Sequence, residues 1–305
     1  LRIVFLGTSE FAASVLERLA GQPHEAGAHS PDLVLTRPDR PAGRGRNLTP
    51  PPVADCAHAL GLRLVQPESI NDLATHELIA SVEADVLVVC AFGALIKEPL
   101  LSEYELLNVH PSLLPRWRGA APIERSIMAG DEQTGVSIMR LTAGLDSGPV
   151  CLAASEPIRP EDTYGSLASR LELLGADLLV RALDTLDRRE PLEFARQDER
   201  LVTYAEKVAA PDRLLDPSRP AAELERVVRA LNPHIGTRVA LPDGTMLGIG
   251  EAALAPPDAP PGEGVYEHEG RLLLACSPGA LELLAVQPPG KRMMDAGAYL
   301  RGHAG

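Results

Sequence analysis

The chain has 305 residues, 45% of them hydrophobic and 23% charged, which is apolar material enough for two ordinary domains and excludes wholesale disorder or a small disulfide-stapled scaffold. Its longest nearly pure apolar run, residues 86–96, falls well short of the roughly 18 residues that suggest a spanning helix, so no membrane segment is expected. The net charge of −13 disfavours broad contact with a phosphate backbone, yet residues 37–46 gather four arginines against a single aspartate.

In chain order, residues 2–6 read as a buried strand, followed by a helix from Glu10 with Phe11, Val15, Leu16 and Leu19 on its apolar face. Ser9 is placed to cap that helix, and Gly21 and Pro23 to stop it. Further strands are expected at 32–36, 62–66 and 86–91, with helices at 52–60 and 70–82 between them. The run 86–91 shows no polar alternation, as befits a strand covered on both faces. Strands at 106–110, 136–141 and 150–158, a helix near 122–128 and a long helix at 163–187 complete the pattern. Such alternation predicts a doubly wound, mostly parallel α/β sheet that takes its ligand at the carboxyl ends of the strands. Beyond a charged stretch at 188–197 the grammar changes. One helical pattern at 221–231 precedes short apolar runs at 238–241, 246–249, 271–276 and 280–286, split by Pro and Gly, which suggests a small β-barrel or sandwich. The four-proline stretch 255–264 reads as a loop.

Few motifs carry chemistry. The four cysteines form no CxxC pair and the eight histidines no HExxH, so neither a metal site nor a disulfide framework is expected. Gly7 ends the first strand, but the remaining glycines of a dinucleotide fingerprint are missing, and a tight strand-to-helix turn explains it better. No cleavable leader is legible, and a cytoplasmic protein is expected.

The informative segment is 106–119, Leu-Leu-Asn-Val-His-Pro-Ser-Leu-Leu-Pro-Arg-Trp-Arg-Gly. On a strand at 106–110, Asn108 and His110 share a face, and Pro111 ends the ladder. A carboxamide can donate to a developing oxyanion, and an imidazole exchanges a proton near neutral pH. Downstream, Asp146 sits between glycines in Gly144-Leu-Asp-Ser-Gly148. Alone it reads as a turn residue; close to His110 its carboxylate would orient the imidazole.

Asn108-x-His110, Ser112-Leu113-Leu114-Pro115 and Asp146 thirty-six residues after His110 together resemble the signature of the folate-dependent formyltransferases. Within them the chain is most similar to the methionyl-tRNA formyltransferase family, on the arginine-rich stretch 36–46, on 114–123, on Thr203-Tyr-Ala-Glu-Lys207 and on 287–293. Ser9-Glu10, Pro111 and the Asp146-Ser147-Gly148-Pro149 ending depart mildly from the family pattern.

The resemblance implies a catalytic domain at 1–187, a linker at 188–207 and an OB-like, tRNA-binding β-barrel at 208–305. It implies transfer of the formyl group of 10-formyltetrahydrofolate to the α-amine of initiator methionyl-tRNA by Asn108, His110 and Asp146, with no metal and no membrane, by a monomer. Phe92, Gly93, Leu95, Ser112, Leu113, Leu114 and Pro115 would line the folate pocket, largely through backbone groups. Arg40, Arg44, Arg46, Lys207, Lys291 and Arg292 would meet the tRNA. A formyltransferase for a small sugar amine, a formyltetrahydrofolate hydrolase, or a non-catalytic nucleotide-binding module are the competing readings. The first two keep the Asn, His and Asp set but need no arginine loop.

Overall fold

The computed structural model describes residues 1–21, 29–42 and 47–303. They form two compact units: Leu1–Gly119, Thr134–Glu156 and Ala168–Tyr204 make the first, and Ala120–Gln133, Pro157–Leu167 and Ala205–Gly305 the second.

The first unit is built on a seven-stranded sheet in the order Val150–Pro157, Gln133–Arg140, Leu106–His110, Val86–Cys90, Ile3–Gly7, Leu33–Leu35, Leu64–Val65. From Leu106–His110 to Leu64–Val65 the pairing is parallel, and Gln133–Arg140 joins antiparallel. Ile3–Gly7, Val86–Cys90 and Leu106–His110 are buried throughout, as the first two require by their lack of polar alternation, and in the third Asn108 and His110 are buried as well. From Ile3–Gly7 the chain moves outward through Leu33–Leu35 and Leu64–Val65, then returns to Val86–Cys90 on the other side. The switch point therefore lies between Ile3–Gly7 and Val86–Cys90, and the crevice at their carboxyl ends is where such a sheet takes a ligand.

Local chemistry sets the helix ends. Ser9 caps Glu10–Ala20 by accepting the Ala12 N–H at 3.3 Å, and Phe11, Ala12, Val15, Leu16 and Leu19 are buried. The helix expected from residue 70 begins instead at Leu73, because the Asp72 carboxylate accepts the Thr75 N–H at 2.7 Å and fixes the start there. Leu106 joins the core of Val4, Leu6, Leu87, Val89 and Phe92 on one face of the sheet. On the opposite face Val109 lies against Gly175, where a Cβ would stand 3.0 Å from the valine methyl. Asn108 and His110 therefore share the Leu106 face.

In the second unit an antiparallel sheet runs Thr237–Ala240, Met246–Leu254, Ala280–Gln287, Arg271–Ala275, Val265–His268, and Met294–Asp295 also pairs with Ala280–Gln287. Register shifts between Ile249 and Ala252 increase its local twist. Helix Ala221–Leu231 buries Leu224, Val227, Val228 and Leu231 in the same core as Leu247, Leu274 and Leu283. Helix Pro122–Ala129 also belongs here: Arg125 bonds both carboxylate oxygens of Asp212 at 3.2 and 2.9 Å, and Arg226 donates to the Met128 carbonyl at 3.2 Å.

Some elements lack a sequence signal. The hairpin Arg40–Ala42 with Asn47–Thr49 has no apolar alternation, and helix Ala296–His303 is rich in small residues. Packing secures that helix, through Ala296, Tyr299 and Leu300 on the second core.

Two stability effects follow. At Gly135 a Cβ would stand 2.1 Å from the Ala154 carbonyl oxygen on the neighbouring strand, so Gly135→Ala should cost about 2–3 kcal/mol in a urea melt. The Arg125 guanidinium holds the Asp212 carboxyl below the usual carboxylate range. Because the folded value lies beneath the unfolded one, this stabilisation is complete above the normal range and fades as pH falls through the lowered value. Asp212→Asn should therefore cost about 1–3 kcal/mol at neutral pH, and melts well below pH ~3.9 should show the difference shrinking towards zero.

Candidate active site

Strand Leu106–His110 delivers Asn108 and His110 to the carboxyl rim of the first sheet, beside Val89 and Met139 at the level of Asn108 and Ser137 at the level of His110. The two side chains are buried, at 6% and 4% exposure, and two residues of strand separate their Cα atoms by roughly 6.6 Å. Among the described residues the Asn108 carboxamide has no hydrogen-bond partner. Its amide keeps a small exposed edge, through which a ligand can be met.

The imidazole is held on one side. His110 Nε2 lies 2.9 Å from the Trp117 carbonyl oxygen, which can only accept, so Nε2 carries the proton in the neutral ring. Nδ1 is left as the exchangeable position, and Asp146 Oδ2 stands 3.7 Å from it. That separation is an ion-pair contact and too long for a hydrogen bond. Asp146 was expected to orient the ring; the Trp117 carbonyl does so instead. Asp146 Oδ2 accepts the Gly119 N–H at 2.8 Å.

The backbone is bent to make this possible. Trp117 (φ 65°) and Asp146 (φ 44°) are both left-handed, which costs about 1 kcal/mol or more each and is offset only by fixed surroundings. Thr203 supplies part of that fixing: its hydroxyl accepts the Trp117 N–H at 2.9 Å and its carbonyl the Arg118 N–H at 2.9 Å. Gln197 Nε2 donates to the carbonyls of Asp146 and Gly148, both at 2.7 Å. Gln197 Oε1 accepts from Arg118 Nε at 2.9 Å, and the Arg118 guanidinium closes on the Glu199 carboxylate at 2.8 and 3.2 Å. Sequence reasoning treated 188–207 as a linker and missed these partners. No sequence signal marked them: that Arg118 is a buried cation in need of acceptors is known only from the structure.

The expected folate-lining residues occupy two loops. Phe92 is buried in the Leu106 core, and its carbonyl accepts the Thr8 hydroxyl at 2.8 Å. Gly93 has φ 74° and its carbonyl accepts from Arg37 at 3.0 Å, while the exposed Leu95 offers its carbonyl to Asn71 at 2.8 Å. Ser112 is fully buried, donating to the Arg116 carbonyl at 2.6 Å, and the Leu114 N–H reaches the Ser137 hydroxyl at 3.2 Å. Leu113, Leu114 and Pro115 are half-buried along the same loop.

Of the expected cations, Arg40 is exposed and 3.5 Å from Glu68, while Arg44 and Arg46 lie outside the described residues. In the second unit Lys207, Lys291 and Arg292 are exposed and form no ion pair among the described residues. No group of three or more His, Cys, Asp or Glu among the described residues could hold a metal ion.

Known proteins share this organisation. A family described as formyl transferase matches residues 1–183, and one described as formyl transferase, C-terminal domain, matches 207–304. A methionyl-tRNA formyltransferase of Methylococcus capsulatus is 44% identical over 100% of this chain and 97% of its own. Among solved structures, HypX from Aquifex aeolicus in complex with tetrahydrofolic acid superposes with a TM-score of 0.66 at 15% identity, covering 98% of this chain and 46% of that one. An N-formyltransferase from Helicobacter canadensis, in complex with folinic acid and dTDP-3-aminofucose, gives 0.65 at 15% identity over 93% of this chain and 98% of its own. At such identities the likeness is one of fold.

Proposed function

The chain belongs to the methionyl-tRNA formyltransferase family, and we propose that Asn108, His110 and Asp146 carry the formyl group of 10-formyltetrahydrofolate to the α-amine of methionine esterified to initiator tRNA. One observation supports the residue assignment above others: Asp146 Oδ2 stands 3.7 Å from the exchangeable His110 Nδ1, at the sheet rim shared with the unpartnered Asn108 carboxamide.

The chemistry is acyl transfer between nitrogens. The methionyl amine, whose reference pKa near roughly 8 leaves a usable neutral fraction, attacks the formyl carbon. The carbonyl electron pair moves onto oxygen, where the Asn108 amide N–H receives it. Asp146 takes the proton released by the new C–N bond, and protonated His110 gives its Nδ1 proton to the folate nitrogen as the old C–N bond breaks. The short gap between Asp146 and Nδ1 lets the collected proton return to the ring, so the catalyst ends as it began. Tetrahydrofolate and formylmethionyl-tRNA leave.

Phe92, Gly93, Leu95 and Ser112 to Pro115 are assigned to the folate side, where the loop backbones would shape the pocket. Arg40, Arg44, Arg46, Lys207, Lys291 and Arg292 are assigned to tRNA phosphates. All three catalytic groups come from one chain, and the active form is read as a monomer. No helix among the described residues is long and apolar enough to cross a membrane, and the enzyme is assigned to the cytoplasm, beside its RNA substrate.

Purified protein given methionyl-tRNA and 10-formyltetrahydrofolate should yield formylmethionine, with Asn108→Ala slowed by about 100- to 1000-fold at unchanged melting temperature and His110→Ala as a second control. Formate released without tRNA, or turnover on an amino sugar alone, would replace this reading with a hydrolase or a sugar formyltransferase. Arg44→Ala should raise the KM for tRNA and flatten the log–log salt dependence by about 0.7–0.9 while leaving the KM for the folate donor unchanged. Equal losses for both substrates would remove the arginine loop from tRNA contact.

A further inference from the structure

A catalytic aspartate in a left-handed backbone at the tip of a glycine-flanked loop has few intrinsic reasons to stay put. Asp146 itself spends Oδ2 on the Gly119 N–H at 2.8 Å, so its side chain is tied to the same turn that carries the Trp117 carbonyl bonded to His110. A second side chain joins that turn to the Asp146 loop. The Gln197 amide spends its NH2 group on the carbonyls of Asp146 and Gly148, and its oxygen on Arg118 Nε. One end of Gln197 thus fixes the carboxylate's loop, and the other fixes the residue between Trp117 and Gly119.

Arg118 is the fulcrum. It is only 3% exposed, and burial of its guanidinium is tolerable because Gln197 and Glu199 together satisfy Nε and both terminal nitrogens. Glu199, although exposed, is held below the usual carboxylate range by the hydrogen bond from Arg118, so it stays charged through the physiological range. Thr203 finishes the brace by accepting the backbone N–H groups of Trp117 and Arg118. The turn that carries the Trp117 carbonyl and the Gly119 N–H is therefore tied to Gln197, Glu199 and Thr203.

We infer that Gln197, braced by the Arg118–Glu199 pair, is a positioning residue for formyl transfer: it sets the distance between Asp146 and His110 Nδ1, and the stretch 197–203 is part of the catalytic apparatus. This inference rests on the assignment of Asp146 and His110 as catalytic. Gln197 touches no substrate in this account; it acts chiefly through Asp146, to whose loop it gives two of its three bonds. A displacement of about 1 Å at a reacting group costs roughly 100-fold in rate, so its removal is visible in kcat with little effect on substrate affinity.

Two substitutions probe it. Gln197→Ala removes all three bonds. Gln197→Glu keeps the size and the acceptor for Arg118 but turns a carboxylate oxygen towards two carbonyl oxygens, and so keeps a test available should the alanine variant fold poorly. Each should lower kcat by about 10- to 100-fold with KM for folate and tRNA changed less than about twofold. The decisive measurement is a double-mutant cycle with Asp146→Ala. Once the carboxylate is gone its position no longer matters, so adding Gln197→Ala or Gln197→Glu to Asp146→Ala should cost at least about fivefold less in kcat than in the wild-type background, any remainder passing through Arg118 and the Trp117 turn. Undiminished loss in that background would mean that Gln197 acts elsewhere and would overturn the proposal while leaving Asp146 catalytic. Full activity of Asp146→Ala alone would instead remove the underlying assignment, and the proposal with it.

Discussion

A histidine bonded through Nε2 to a backbone carbonyl can exchange a proton at one atom only, and much of the first unit's local structure serves that restriction. The Trp117 carbonyl reaches His110 because Trp117 adopts a left-handed backbone that its bulky side chain would not favour alone. The same turn presents the Gly119 N–H to Asp146, so one stretch of main chain sets the tautomer of the imidazole and the orientation of the carboxylate. Main-chain groups do this with less rotational freedom than side chains would. Asn108, buried on the same face of the strand, has no hydrogen-bond partner among the described residues.

The acidic average of the chain conceals a division of labour among its cations. Most arginines with a described environment are already spoken for: Arg118 by Glu199, Arg125 by Asp212, Arg140 by Glu105, Arg170 by Glu156. These neutralised pairs contribute to structure and add little field at a distance. Lys207, Lys291 and Arg292 are exposed and form no ion pair among the described residues, as is also true of Arg63, Lys97, Arg181 and Arg196, and Arg40 has only an exposed, longer contact with Glu68. Net charge is therefore a poor guide to where a polyanion would settle; the location of unquenched cations is a better one.

Much of this was legible in the sequence, for reasons that differ by element. The apolar run at 86–91 announces a strand covered on both faces, and it lies at the centre of the sheet beside the strand expected at 106–110. Period two put Asn108 and His110 on one face, and the structure agrees. Asp146 was legible only by resemblance, since an aspartate among glycines is otherwise an ordinary turn residue. The Trp117 carbonyl and Gly119 N–H were invisible because backbone groups leave no mark in composition. Gln197 and Glu199 were hidden for another reason: their stretch is charged and contains Pro191, a composition shared by true linkers and by loops whose polar side chains are fully engaged. Only the burial of Arg118 separates the two cases.

The second unit is not a continuous tail. It draws in Ala120–Gln133 and Pro157–Leu167, and with them the helix whose Arg125 bonds Asp212 and whose Met128 lies on the core of Leu224 and Leu283. A chimera that grafted residues 205–305 of one homologue onto the preceding part of another would inherit a mismatched helix inside its own fold. Exchange between relatives as a cassette thus requires three spliced pieces, which ties the evolution of the two halves together more tightly than their order along the gene suggests.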